Sequence, residues 1–444
     1  MTKYDEIFMI DYASSLENLI KRYRKEKRPI DINFREMVNI SNFDRLTHYI
    51  HSYPAKLLQC IPIFFINNSL LLSKHKNVVY DPFCGSGTVA LEALYHGKQA
   101  LVRDINPLAT LITRVKCTYI DNGSVWDGIS QIDRNIKKAR WKNHNIPNQD
   151  FWFDEVVYRK LSRLWQAVNF TDNQNLADFF KICFSTVARK MSYADPKISV
   201  PVKLNPGKYP DGHKNRIAAE RHIHEIESGD VFAAFKNVVA VNIKRVATIK
   251  NMIGNNITIE TVDAKAEPLN EFKGKVDLIV TSPPYPGAQK YIRSSSLSLN
   301  WLELHKGSLT PLKKQVIGRE EVSTKLYTGK SGCKSADKQL KKIAVINKER
   351  AAVAESYLKE MRLVFKSCWN HLVSGGYMAL VAANNLFCGL ELYTQKYLCE
   401  IAIEEGFVLE LELMDDIKSY GLMTKRNKTA GVISREHVAL FRKP

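Results

Sequence analysis

The chain has 444 residues, long for one ordinary domain and short for three. Hydrophobic residues make up 45% and charged residues 25%, and no apolar run reaches the ~18–20 residues needed to span a bilayer. Sixty-five Lys and Arg against forty-six Asp and Glu give a net charge of +19, which points to a polyanionic partner, most simply nucleic acid. The start, "MTKYDEIFMIDYASS", lacks the basic-then-apolar order of a secretory signal, so a cytoplasmic protein is expected. The eight cysteines are scattered with no C-x-x-C pair, so neither a disulfide framework nor a metal site is expected.

The first ~44 residues read as a helix, "IDYASSLENLIKRYRKEK", and a polar connector. This extension carries six bases and one acid between Lys21 and Arg28. A helix is expected just after Pro54. Strand "NVVYDPF", glycine turn "CGSGT", helix "VALEALYHG", strand "QALVRDI" and helix "PLATLITRVKCTYI" follow. Two successive strand–helix units predict an α/β fold with a parallel, doubly wound sheet. Residues 121–250 break the rhythm. They read as an inserted, mostly helical subdomain with a Pro/Gly/Lys-rich loop. The rhythm resumes from 251 with "ITIETVDA" and "VDLIVTSPPY". Next come a basic stretch (306–345) expected as a loop, a long helix to about Leu372, strand "YMALVAANN", helix "LYTQKYLCEIAIEEGF" and strands "VLELELMD" and "EHVALFRK".

The chemistry-bearing residues fall at strand ends. In "DPFCGSGT", Asp81 to Thr88, Gly85 and Gly87 would let the backbone approach a ligand closely, with helix N–H groups pointing at it. The turn is neither G-x-G-x-x-G nor a P-loop, which disfavours a dinucleotide or a nucleoside triphosphate. Asp104 ends the next strand, where a carboxylate can accept hydrogen bonds from both ribose hydroxyls of a nucleoside. Asp263 ends a third strand, and the three acids together read as the rim of a ligand site. Ser282-Pro283-Pro284-Tyr285 ends the fourth. There a stiff diproline would hold carbonyls against an exocyclic amino group, and Tyr285 would offer a stacking face for a base. Such a site needs no metal and no covalent nucleophile, because it works by positioning.

"DPFCGSGT" followed by "TSPPY" resembles the S-adenosylmethionine-dependent DNA amino-methyltransferases, which modify N4 of cytosine or N6 of adenine. "HYIHSYPAKLL", "QKYIRSSSLSLNWL" and "NKTAGVISREHVALFRK" resemble further segments of that family, so the likeness covers about 45–120 and 255–444. It implies a Rossmann-like class I methyltransferase fold, with a cofactor-binding half over 45–120 and a catalytic half over 251–444. Carried over by position, Asp81, Phe83, Gly85, Gly87 and Thr88 would surround the amino-acid end of S-adenosylmethionine. Asp104 would hold its ribose and Asp263 its adenine. Ser282, Pro283, Pro284 and Tyr285 would form the catalytic loop, with Lys290 and Arg293 toward DNA.

A serine at the first place of the tetrad favours N4 of a flipped cytosine in double-stranded DNA, in a restriction–modification setting with a possible cognate nuclease. The alternative is an adenine-N6 enzyme. An RNA methyltransferase and a catalytically silent DNA-recognition subunit are further alternatives. Target recognition is expected from 121–250, from 306–345, or from both. His48 and His51 are read either as closing the cofactor pocket or as structural, Trp152 and Trp165 as core, and "SYADPKISVP" as an ordinary surface loop, with lining the groove as the alternative.

Overall fold

A computed structural model describes residues 10–40, 43–54, 56–72, 77–252, 254, 256–287, 291–416 and 435–444. Among the described residues ten strands form, eight of them in one sheet: β1 (Ile30–Ile32), β2 (Val78–Asp81), β3 (Gln99–Arg103), β4 (Ile257–Glu260), β5 (Val276–Thr281), β6 (Leu372–Ala382), β7 (Asn385–Phe387), β8 (Leu390–Leu392), β9 (Val408–Asp416) and β10 (Arg435–Arg442). The sheet order is β1-β9-β10-β6-β5-β2-β3-β4. Every neighbouring pair is parallel except those of β10, which runs antiparallel to both β6 and β9. This is the doubly wound, mostly parallel arrangement expected. Chain order reverses direction between β2 and β5, which opens a crevice beyond their carboxyl ends.

The strands are apolar because helices cover both faces. One face packs Leu16, Phe64, Phe65, Leu91 and Leu94 from the helices Ala13–Glu26, Cys60–Ile66 and Thr88–Tyr95. The other packs Leu340, Leu358, Met361, Phe365 and Leu398 from Lys334–Ile346, Lys348–His371 and Thr394–Glu404. No helix among the described residues is long and apolar enough to cross a membrane. All eight cysteines are free and most are buried.

Three expectations need correction. The helix anticipated just after Pro54 is the shorter Cys60–Ile66, and 56–58 precede it without regular structure. The basic stretch 306–345 is not a loop. It contains the helices Thr310–Gln315 and Lys334–Ile346, the latter burying Ala336, Leu340 and Ile343 at one-turn spacing while its lysines face outward. The connector after the first helix holds β1, a short parallel partner for β9 that three residues are too few to announce.

The inserted segment is helical as expected, with Asn122–Lys138, Glu155–Asn169, Gln174–Lys190, Lys214–Glu227 and Val231–Ala247 as its main helices. Its core does not close on itself. Phe153, Tyr158, Phe180 and Phe184 share one continuous cluster with Leu108 and Ile112 of the helix Pro107–Cys117 and with Leu297, Leu299 and Trp301. Trp301 is fully buried, with the rings of Phe153, Tyr158 and Phe184 at 5.2–5.6 Å. Trp165 lies in this core and Trp152 packs partly buried against it.

Candidate active site

The ends of β2, β3, β4 and β5 and three further stretches, at Tyr53, 291–292 and 315–317, enclose a cleft at the crevice between β2 and β5. It has about 640 Å³ of space, counting its open mouth. Its walls include Phe83, Gly85, Asp104, Asp263, Ser282 and Pro284, all expected at the site from sequence. Tyr53, Asn106, Tyr291 and the segment 315–317 also line it, none of them singled out as a site residue from sequence, though Tyr53 and Tyr291 fall in segments that resemble parts of the family.

Each member is held by its element. Gly85 sits at φ +50°, in the left-handed region, and its N–H donates to Asp104 Oδ2 at 2.9 Å. Asp104 Oδ1 accepts from Asn106 N–H at 2.8 Å, so each carboxylate oxygen keeps a lone pair for a ligand. Burial at the cleft raises the Asp104 pKa to about 6, and the two backbone N–H donors restrain the rise. Asn106 caps the helix Pro107–Cys117 by accepting from Leu108 N–H, and its amide donates to Tyr53 Oη (3.1 Å) and Ser295 Oγ (3.3 Å). One side chain thereby joins three segments of the wall.

Arg103, the last residue of β3, is fully buried. Its guanidinium bonds Glu260 at 2.6 Å and the carbonyls of Ala266 and Glu267 at 2.8 and 3.1 Å, pinning the loop that presents Asp263. Asp263 Oδ1 accepts from Lys265 N–H at 3.0 Å, and Oδ2 pairs with Lys265 Nζ at 3.2 Å. Lys265 also reaches Glu360.

Several expected residues stand elsewhere. Asp81 is buried and does not line the cleft. Its Oδ1 accepts from Thr281 Oγ1 at 2.7 Å and from Phe83 N–H at 3.0 Å, tying the glycine turn to the tetrad across 200 residues of sequence. Burial raises its pKa to about 7, and the nearby Asp104 adds to the rise. Gly87 sits at φ +73°, and a Cβ there would lie 2.6 Å from Thr113 Oγ1. It is a packing glycine rather than a ligand-facing one. Thr88 is buried in the first turn of its helix, outside the cleft wall.

Pro283 and Tyr285 also lie off the wall. The Tyr285 hydroxyl is engaged by the side chains of Ser282 and Glu436, and burial pushes its pKa well up. Gly318, at φ +75°, packs against Pro284 and Tyr285, and a Cβ there would lie 3.2 Å from the Tyr285 carbonyl oxygen in a backbone conformation that favours glycine. Arg293 is half-exposed, 3.9 Å from Glu320, and away from the wall. Lys290 falls outside the described residues.

Neither histidine closes the cleft. His48 is buried, with Nε2 2.6 Å from Glu92, which also pairs with Arg45 inside the core. His51 bonds Ser185 at 3.1 Å and borders a second cavity. Tyr53, two residues on, is the member of that segment that reaches the cleft, and no periodicity distinguishes it from its neighbours.

Comparison with known proteins gives two informative likenesses. Residues 56–211 match the family described as D12 class N6 adenine-specific DNA methyltransferase. Over 281 residues the chain is 28% identical to the Type II methyltransferase M.MvaI of Kocuria varians, an overlap of 60% of this chain and 59% of that protein. The chain therefore spans about three fifths of the length of the curated relative it matches. Solved structures overlay only loosely. A SAM-dependent methyltransferase from Methanosarcina mazei gives a TM-score of 0.29 at 10% identity, covering 84% of this chain and 94% of that one. The rRNA methyltransferase aviRa of Streptomyces viridochromogenes gives 0.31 at 9% identity, covering 92% and 96%. Overlays this loose add nothing to the reading of the site.

Proposed function

We propose that the chain is an S-adenosylmethionine-dependent DNA methyltransferase of the restriction–modification type, acting on an exocyclic amino group of a base. The observation that carries this is the shared cleft: Phe83 and Gly85 of the glycine turn, Asp104, Asp263, Ser282 and Pro284 converge at the switch point of one sheet. Both sequence likenesses, to a DNA methyltransferase family and to a Type II methyltransferase, support it.

The cleft suits the cofactor. Asp104 has acceptor capacity for ribose hydroxyls, Tyr53 and Phe83 supply flat apolar wall, and Gly85 brings bare backbone to the surface. When bound, S-adenosylmethionine supplies an electrophilic methyl group. The chain's own part is positioning. The Ser282 hydroxyl and the tetrad's carbonyls accept the two N–H bonds of the target amino group, loosening its lone pair from the ring. The diproline keeps those acceptors from retreating. Tyr285, its hydroxyl engaged by Glu436 and Ser282, stands off the cleft wall and holds the loop in place from behind.

The matched family's description supports N6 of adenine as the target better than the N4 of cytosine expected from Ser282. The second reading rests on Ser282 itself, which lines the cleft and lies outside the matched stretch 56–211. The deciding experiment is transfer of labelled methyl to duplex DNA, followed by digestion to nucleosides. N6-methyladenine establishes the first reading and N4-methylcytosine the second. Label appearing in transfer RNA but not in duplex DNA would overturn both.

A further inference from the structure

A second cavity, of about 1000 Å³ including its mouth, lies where the inserted helices meet the methyltransferase body. Its wall is drawn from five stretches of chain: 51–54, Leu108 of the helix Pro107–Cys117, the end of the helix Gln174–Lys190 with the loop after it, the helix Lys214–Glu227, and 294–298. The loop is "SYADPKISVP", expected to be an ordinary surface loop. Its Ala194, Pro196, Ile198 and Ser199 instead line the cavity.

The chemistry of the wall is one-sided. Arg189, Lys190 and His222 line it, and no Asp or Glu does among the described residues. Hydroxyls of Ser52, Ser295 and Ser298 stand beside them, while those of Thr186 and Ser294 already donate to the carbonyls of Ile182 and Tyr291. Arg189 supplies a separate clue. Its Nη2 donates to the carbonyls of Ile198 (2.8 Å) and Asp195 (3.3 Å), folding the loop, while Nη1 is buried without a partner among the described residues. A buried guanidinium N–H with no acceptor is costly, and an anionic oxygen in the cavity would offset that cost. Burial lowers the Arg189 pKa to about 10, with only Asp195 opposing.

The cavity also adjoins the candidate active site. Tyr53 lines both, and Asn106 bonds Tyr53 on the cleft side and Ser295 on the other. We infer that this cavity is a phosphate site, holding a backbone phosphodiester of the DNA strand that carries the target base. Lys190 and Arg189 supply the charge and the surrounding hydroxyls supply the hydrogen bonds. It thereby fixes the strand beside the cleft into which the base is turned. This rests on the DNA reading above.

The test uses the full chain and duplex substrates bearing a single neutral methylphosphonate at successive linkages around the methylated base. In the wild type, one linkage near the target should weaken binding on neutralisation. In Lys190→Ala the same linkage should be silent, affinity should fall alike for all sequences, and the slope of log affinity against log salt should drop by about 0.9. Lys190→Arg should restore both. Arg189→Lys, which keeps the charge but loses the fork, should weaken binding while the same linkage stays sensitive to neutralisation. Cofactor affinity should not move in any of them. A Lys190→Ala protein with the wild-type salt slope and an unchanged methylphosphonate profile overturns the phosphate site while leaving a methylating wild type intact. A wild type that neither binds nor methylates any duplex removes the DNA reading and the phosphate site together.

Discussion

The two turn glycines, one residue apart, should fail in different ways when each is replaced by alanine. At Gly87 the new Cβ would lie 2.6, 2.7 and 2.9 Å from Thr113 Oγ1, Cγ2 and Cβ, at a backbone φ of +73°. Left-handed backbone costs about 1–2 kcal/mol for a non-glycine residue, and overpacking a buried contact costs about 1–3 kcal/mol more. Gly87→Ala should therefore lose roughly 2–5 kcal/mol of stability, read as a lower urea midpoint at unchanged slope without any ligand. Thr113→Ala removes two of the three clashing atoms, so the double variant should recover part of the loss. At Gly85 the Cβ would meet Tyr53 at 3.6 Å, an ordinary contact, in the cleft wall at φ +50°. Gly85→Ala should cost only about 1–2 kcal/mol in stability. By calorimetry it should lose affinity for S-adenosylmethionine. If Gly87→Ala unfolds like the wild type yet fails to bind cofactor, the assignment of Gly87 to packing is wrong.

Further outcomes follow from burial. Asp81 has a folded pKa of about 7 against an ordinary 3.8, so the fold disfavours its charged form, and stability is lost as pH rises from about 4 to about 7. Asp81→Asn keeps the acceptor for Thr281 and should gain stability at pH 8, by at most about 4 kcal/mol, with little gain at pH 4. A gain of equal size at both pH values would refute this. Glu92→Gln leaves Arg45 buried without its counter-charge and should cost about 3–5 kcal/mol in urea unfolding. Cofactor affinity should fall as pH drops below about 6, where Asp104 takes up a proton and loses an acceptor. A pH-independent dissociation constant between 5 and 8 would argue against Asp104 as the ribose ligand.

The sheet was legible because its strands are apolar runs that each stop at a polar or glycine-bearing end, as at Asp81, Asp104 and Ser282. A residue that closes a strand must lie at the rim, so the rim could be read. Which way a rim side chain points could not. Asp81 and Asp104 look alike in sequence, yet one turns inward to Thr281 and the other faces the cleft. Tyr53, Asn106 and the 315–317 segment reach the wall only through tertiary packing and carry no local signature. Lys334–Ile346 was hidden for the opposite reason. Its three buried positions are outnumbered by lysines, and composition masked the period.

Trp301 has a consequence for anyone who would exchange the inserted helices between relatives. Those helices close their aromatic core around a tryptophan that belongs to the later half of the chain. Cutting at 121 and 250 would take the socket and leave the plug. The transplantable unit is thus discontinuous. A graft must bring the 292–302 stretch with it, or be repacked against whatever side chain the recipient offers there.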